Sequence, residues 1–254
     1  MVPAGGVQDE VERARALLRA SRRILVFSGA GLSTEAGVPD FRSEDGIWSR
    51  FDPDEFTFER LAHDPGGFWR QRVKLMNALR LHDVQPHEGH RALARLAGEP
   101  GVLGHVTQNI DGLLAVAGHP VDKLVELHGS AARVRCLACW RFFPYAQAAG
   151  ALARGDEVPR CPACDGPLKP GTILFGEPLD EAALKRAYEW ARHADLVLVL
   201  GSSLTVWPAA DIPATAVARG AHLIVINRDA TPLDGEADHI LRTPLAQILP
   251  RLLS

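Results

Sequence analysis

The sequence predicts an α/β fold in which helices cover both faces of a parallel sheet. Short, continuous apolar runs recur along the chain, each followed by small or polar residues, and helical stretches separate them. The segment from about 133 to 169 breaks this rhythm and gathers all four cysteines. It reads as a small module inserted in a larger domain, which divides the chain into 1–132 with 170–254, and an insert at 133–169.

Taken in order, Met1 to Gln8 reads as a loose tail. From Asp9 to Ala20 the pattern is helical, with Val11, Ala14, Leu17 and Leu18 on one face, acids first and arginines last, as the helix dipole prefers. Ile24 to Phe27 is a strand buried on both faces. Gly29-Ala30-Gly31 follows, then Ser33 and a helix start that Pro39 cuts short. A helix is expected over His87 to Ala97, a weaker strand over Val102 to Thr107, and a strand-like run over Leu124 to Leu127. A helix over Asp180 to Arg192 precedes strands at Leu196 to Leu200 and Leu223 to Ile226. In the helical stretch Phe68 to Leu81, Arg70, Arg72 and Lys74 read as a solvated face.

A chain of 254 residues with 46% hydrophobic content can bury a proper core, and its net charge of −3 implies no general attraction to nucleic acid or to an anionic membrane. The N-terminus lacks a signal-peptide layout and no apolar run reaches the length of a membrane span, so a cytoplasmic protein is expected.

Three groups of residues carry chemistry. A strand ending in Gly29-Ala30-Gly31, with Ser33 beyond, suits a phosphate, because glycines admit a close approach of backbone to ligand. Thr34 stands where the third glycine of a full dinucleotide fingerprint would be, and a tight turn with no ligand explains the glycines equally well. Cys136-Leu137-Ala138-Cys139 and Cys161-Pro162-Ala163-Cys164, separated by 21 residues, form two metal knuckles. Four thiolates suit one structural zinc ion with no open position for catalysis, in preference to a redox pair. Gln108, Asn109 and Asp111 follow a strand at the position where an α/β sheet holds its ligand, although Asn109 or Asp111 would also cap a helix. His128 follows a strand-like run; a lone histidine there is more often a hydrogen-bonded core or surface residue, and the alternative is a base that takes a proton from a ribose hydroxyl.

These segments together closely resemble the sirtuins, the NAD-dependent protein-lysine deacylases. The resemblance rests on Gly29 to Ser33, Gly37 to Ser43, Thr107 to Asp111, Leu127-His128-Gly129, both cysteine pairs, Phe175-Gly176-Glu177, Gly201-Ser202-Ser203 and Ile226-Asn227. It implies a Rossmann-like NAD domain, a small zinc-ribbon module and a cleft between them. Gly29, Ala30, Gly31 and Ser33 would then line the NAD phosphates and ribose, and Asp40, Phe41 and Arg42 would belong to a loop over the cofactor. Gln108, Asn109, Ile110 and Asp111 would surround the nicotinamide and its ribose, with Asn109 and His128 catalytic. Gly201, Ser202, Ser203, Asn227, Arg228 and Asp229 would hold the adenosine half. Phe175, Gly176, Glu177, Leu204 and Val206 would flank an acyl-lysine peptide lying as an added strand.

The implied reaction consumes NAD as an activated sugar. The acyl oxygen attacks the anomeric carbon, nicotinamide leaves, His128 helps to deprotonate a ribose hydroxyl, and free lysine and acyl-ADP-ribose result. The resemblance also implies a distinction among substrates. Sirtuins that prefer succinyl or malonyl groups use a tyrosine and an arginine three residues apart, and neither Tyr145 nor Tyr188 falls in the stretch where that pair would lie. Uncharged acyl groups, acetyl first, are therefore expected. ADP-ribose transfer to protein and a non-catalytic NAD sensor are the alternatives; each lacks a reason to keep His128 beside the substrate-strand segments.

Overall fold

A computed structural model describes residues 4–254 of the chain. Its strands are β1 (Ile24–Ser28), β2 (Val102–Thr107), β3 (Leu124–Glu126), β4 (Gly129–Cys136), β5 (Phe142–Pro144), β6 (Leu168–Thr172), β7 (Leu196–Leu200), β8 (His222–Ile226) and β9 (His239–Leu241). Its α-helices are α1 (Ala4–Ala20), α2 (Phe58–His63), α3 (Pro65–Leu79), α4 (Glu88–Ala97), α5 (Leu113–Val116), α6 (Tyr145–Ala153), α7 (Glu181–His193), α8 (Asp211–Ala218) and α9 (Leu245–Leu252).

Six strands form one parallel sheet in the order β3-β2-β1-β7-β8-β9, as expected for buried runs without polar alternation. Side chains alternate between its faces. Ile24 and Val26 of β1, with Leu196 and Leu198 of β7, join α1, α4 and α9 in one core. Leu25 and Phe27, with Val197 and Val199, meet α7 and α8 on the other side. A second, three-stranded antiparallel sheet, β5-β4-β6, carries the cysteines. Its core takes Phe68 and Trp69 from α3 together with Val134, Cys136, Cys161 and Leu168.

The predicted helices acquire side-chain caps. His87 precedes α4 and accepts from the Gly89 N–H at 2.9 Å, and Asp180 accepts from Ala183 at 2.8 Å ahead of α7. Two expectations are corrected. Met1 to Pro3 of the expected tail lie outside the described residues, but α1 already runs from Ala4, and Gln8 ties its first turns down by donating to Glu12 at 3.1 Å and accepting from Arg251. No α-helix begins at Ser33. Two 3₁₀ turns, Ala30–Leu32 and Thr34–Ala36, follow β1, the second ending at the left-handed Gly37.

Candidate active site

Moving outward from β1, the sheet runs to β2 and β3 on one side and to β7, β8 and β9 on the other. The strand order therefore reverses between β1 and β7. In an open α/β sheet the ligand crevice forms beyond the carboxyl ends of the strands at such a point. Gly29 to Gly31 leave β1 there, Gly201 to Ser203 leave β7, Gln108 to Asp111 leave β2, and Asn227 to Asp229 leave β8. All of these except Asp111 line one cleft of about 1010 Å³, whose far wall is supplied by Thr172 to Glu177 and by Val206.

The glycines are required by contact. Gly31 donates to the Gly201 carbonyl at 2.9 Å, and a β-carbon on Gly31 would lie 2.8 Å from the Gly201 α-carbon. Two loops distant in sequence thus close against each other with only backbone between them. Gln108 reinforces the junction by donating from Nε2 to the Ser202 hydroxyl at 2.8 Å.

Behind the cleft wall lies a short polar chain. Asn109 donates from Nδ2 to the Ser33 hydroxyl at 3.2 Å, and Ser33 donates to the Asp111 carboxylate at 2.7 Å. Asp111 also accepts from the Leu113 N–H at 2.8 Å. Asp111 thus holds both the first N–H of α5 and the Ser33 hydroxyl. Burial raises its pKa, against those two hydrogen bonds. Ser33 and Asp111 do not line the cleft; they hold Asn109, which does.

His128 lines the cleft at the end of β3. Its Nδ1 sits 3.1 Å from the Gln108 carbonyl, which can only accept, so the proton of the neutral ring is on Nδ1. Nε2 has no partner among the described residues and keeps its lone pair. Burial lowers the pKa, the Gln108 carbonyl raises it, and the Arg42 charge lowers it; the net shift is downward. The ring is thus a neutral base near pH 7.

Other expected residues divide into two groups. Ala30, Phe41, Arg42, Ile110, Ser203, Phe175, Gly176 and Val206 all line the cleft. Asp40 does so while its Oδ1 accepts from Arg42 and Ser43 at 3.0 and 2.8 Å, shaping the loop. Asn227, Arg228 and Asp229 form its outer end, where Arg242 donates to the carbonyls of Asn227 and Asp229, both at 2.8 Å. Leu204 does not reach the cleft; it is packed into the core beneath α8. Glu177 lines the cleft, but its carboxylate turns inward to the Leu174 N–H and the Lys169 ammonium.

Arg72 is not on a solvated face. It is 3% exposed, lines the cleft, and leaves Nε and Nη2 unpartnered among the described residues. Burial lowers its pKa to about 10. Trp48, Phe56 and Trp207 also line the cleft without having been anticipated. They sit in stretches with no motif, so only the folding of distant loops brings them there.

The four cysteine ligand atoms all lie within 4.8 Å of one another. Cys136 and Cys164 are 3.5 Å apart, and Cys139 and Cys161 3.7 Å apart, between sulfurs. A tetrahedral zinc with bonds of ~2.3 Å separates its sulfurs by about 3.8 Å, so the residues fit that ion. The residues just after the two knuckles, Trp140 and Asp165, turn left-handed at φ 63° and 59°. Backbone N–H groups point at the Cys136 and Cys161 sulfurs, as thiolate ligands require.

A sequence model of the Sir2 family matches residues 29–208. The chain is 40% identical to an NAD-dependent protein deacetylase of Caldivirga maquilingensis, over 95% of this chain and 92% of that one. It is 39% identical to one from Rhodopseudomonas palustris, covering 97% of each. Among solved structures, a Sir2 enzyme aligns with a TM-score of 0.84 at 35% identity over 97% of both chains. A Sir2 complex with a deacetylated p53 peptide and 3'-O-acetyl ADP-ribose aligns at 0.87, with 30% identity, over 96% of this chain and 97% of that one. With most of its length matched in both sequence and fold, the chain belongs to the Sir2 family.

Proposed function

We propose that this protein removes acyl groups from lysine side chains of proteins in an NAD-dependent reaction, transferring the acyl group to the ADP-ribose of NAD and releasing nicotinamide and free lysine. The observation that carries this reading is His128, an imidazole with Nδ1 pinned by a carbonyl and Nε2 free at the wall of a cleft built from four strand ends. NAD supplies a ribose carbon activated by its nicotinamide leaving group. Gly29 to Gly31 and Gly201 to Ser203 would bind its phosphates and adenosine ribose, with Asn227 to Asp229 beyond. Asn109, oriented by Ser33, would face the nicotinamide ribose. His128 Nε2 would take the ribose hydroxyl proton. The aromatic enclosure of Phe41, Trp48, Phe56 and Phe175 would exclude water from the reacting centre.

On the same footing we propose the division into 1–132 with 170–254 and an inserted zinc module at 133–169, and a cytoplasmic location. No helix among the described residues is long and apolar enough to cross a membrane. The reading is tested by mass spectrometry of an acetyl-lysine peptide incubated with NAD. NAD-dependent loss of acetyl with formation of acetyl-ADP-ribose is expected, and at least about a hundredfold less in His128→Ala. Binding of NAD without consumption would instead identify a sensor.

Arg72 favours a second reading of the acyl group. A buried guanidinium with two unpartnered nitrogens in the cleft suits a carboxylate at the end of a succinyl or malonyl chain. Trp69 lies three residues before it on α3 in place of a tyrosine, while Tyr145 of α6 is within electrostatic reach. Replacement by Leu is expected to lower desuccinylation about tenfold or more relative to deacetylation. An equal loss of both activities would reject the acidic-acyl reading.

A further inference from the structure

Lys169 is 4% exposed, although lysine is rarely buried without a partner. Its ammonium donates to the Pro170 carbonyl at 2.9 Å and the Thr172 carbonyl at 3.0 Å, and pairs with Glu177 Oε2 at 3.1 Å. The same Glu177 oxygen accepts from the Leu174 N–H at 2.8 Å. The segment after β6 is therefore wrapped around a single buried ion pair.

Other bonds complete the wrapping. Ile173 donates to the carbonyl of His128 at 2.9 Å. Phe175 donates to the Phe56 carbonyl at 3.3 Å and accepts from the Phe58 N–H at 2.9 Å. At Gly176 the ties stop: its N–H and carbonyl have no hydrogen-bond partner among the described residues, and its φ of 82° turns the chain out at the cleft. An open backbone edge beside a rigidly held segment is what an added peptide strand needs.

We infer that Lys169 and Glu177 are positioning residues for the acyl-lysine peptide, forming a clamp that fixes the cleft wall from Thr172 to Gly176. Neither group is needed to bind NAD, because the loops that would hold it leave β1, β2, β7 and β8 of the large sheet. The clamp also hangs from β6, the strand of the cysteine-bearing sheet that leads directly into the wall, and so joins that sheet to substrate affinity. The opposing buried charges do not by themselves add net stability. What the pair supplies is the conformation of the segment wrapped around it.

This inference rests on the deacylase reading, and the test separates the two. Wild type, Lys169→Met and Glu177→Gln are compared by steady-state kinetics on an acetyl-lysine peptide and by calorimetric titration with peptide alone and NAD alone, alongside zinc content and thermal midpoint. Lys169→Met is expected to raise the peptide Kd and KM about tenfold or more, with kcat and NAD affinity within about twofold of wild type. Glu177→Gln keeps an acceptor for Leu174 and is expected to fall between. Lys169→Arg, which preserves the charge, is expected to recover part of the peptide affinity. Unchanged peptide affinity in both Lys169→Met and Glu177→Gln overturns the inference, as does a parallel fall in peptide and NAD affinity that tracks the thermal midpoint. A wild type that binds peptide without turnover would refute the deacylase reading instead, leaving the affinities of the variants to decide the clamp.

Discussion

At the scale of single residues, four imidazoles are held neutral by burial. Desolvation takes His90 down to about 3, places His105 well below the ordinary 6.5, and lowers His119 and His128. His105 donates to or accepts from the Ser28 hydroxyl at 2.8 Å, while His90 Nδ1, His105 Nδ1 and His119 Nε2 have no partner to stabilise a proton. Each of these groups binds a proton more readily in the unfolded chain. Stability therefore rises with pH wherever the unfolded state holds the extra proton. The contribution is complete above the unfolded value of about 6.5 and is lost as pH falls towards the folded values, at up to about 1.4 kcal/mol per pH unit for each histidine. Asp111 and Glu126, raised by burial, oppose this trend but are fewer. Urea unfolding between about pH 7 and 5 should show the midpoint falling with acid, and less steeply in His105→Asn. A flat profile across that window would show that these imidazoles do not stay neutral in the fold.

At the scale of elements, the strands were legible because a strand buried on both faces must be apolar along its buried length: β7 is apolar throughout, β1 up to its terminal Ser28, and β8 after the exposed His222. The knuckles were legible because metal ligation constrains spacing as well as residue type. The turn after β1 was misread as a helix start. Gly31 and Gly201 must touch there, and that contact, between segments far apart in sequence, favours tight 3₁₀ turns over a helix. Arg72 was misread for a similar reason. The helical pattern of α3 gives its period, but which face meets the second sheet depends on Val134 and Leu168, whose position no local pattern announces. Leu204 shows the converse: the backbone of the loop after β7 borders the cleft, while a left-handed φ of 55° accompanies a side chain buried in the core. Motifs locate a loop well and assign the direction of its side chains poorly.

At the scale of the whole molecule, the two sheets meet the cleft differently. The glycine loops and Asn227 to Asp229 stand on the six-stranded sheet, whose core is independent of the cysteines. The peptide wall continues from β6, and α3 contributes Phe68 and Trp69 to the cysteine core while sending Arg72 and Leu75 to the cleft. A structural zinc contributes about 10 kcal/mol or more to the folding of small metal modules, so its removal should loosen this half first. The consequence is an ordered loss of ligands. As a chelator strips the metal, peptide affinity should fall in proportion to zinc content while NAD affinity persists until the large sheet unfolds at a higher temperature. Parallel calorimetric titrations at graded zinc occupancy distinguish this from a single cooperative unit. If NAD and peptide affinities declined together, the sheets would unfold as one. If metal-free protein kept its peptide affinity, the link from β6 through Lys169 and Glu177 to the cleft wall would carry no coupling. The expected order follows from where each binding loop is anchored, since a ligand site is only as firm as the core beneath it.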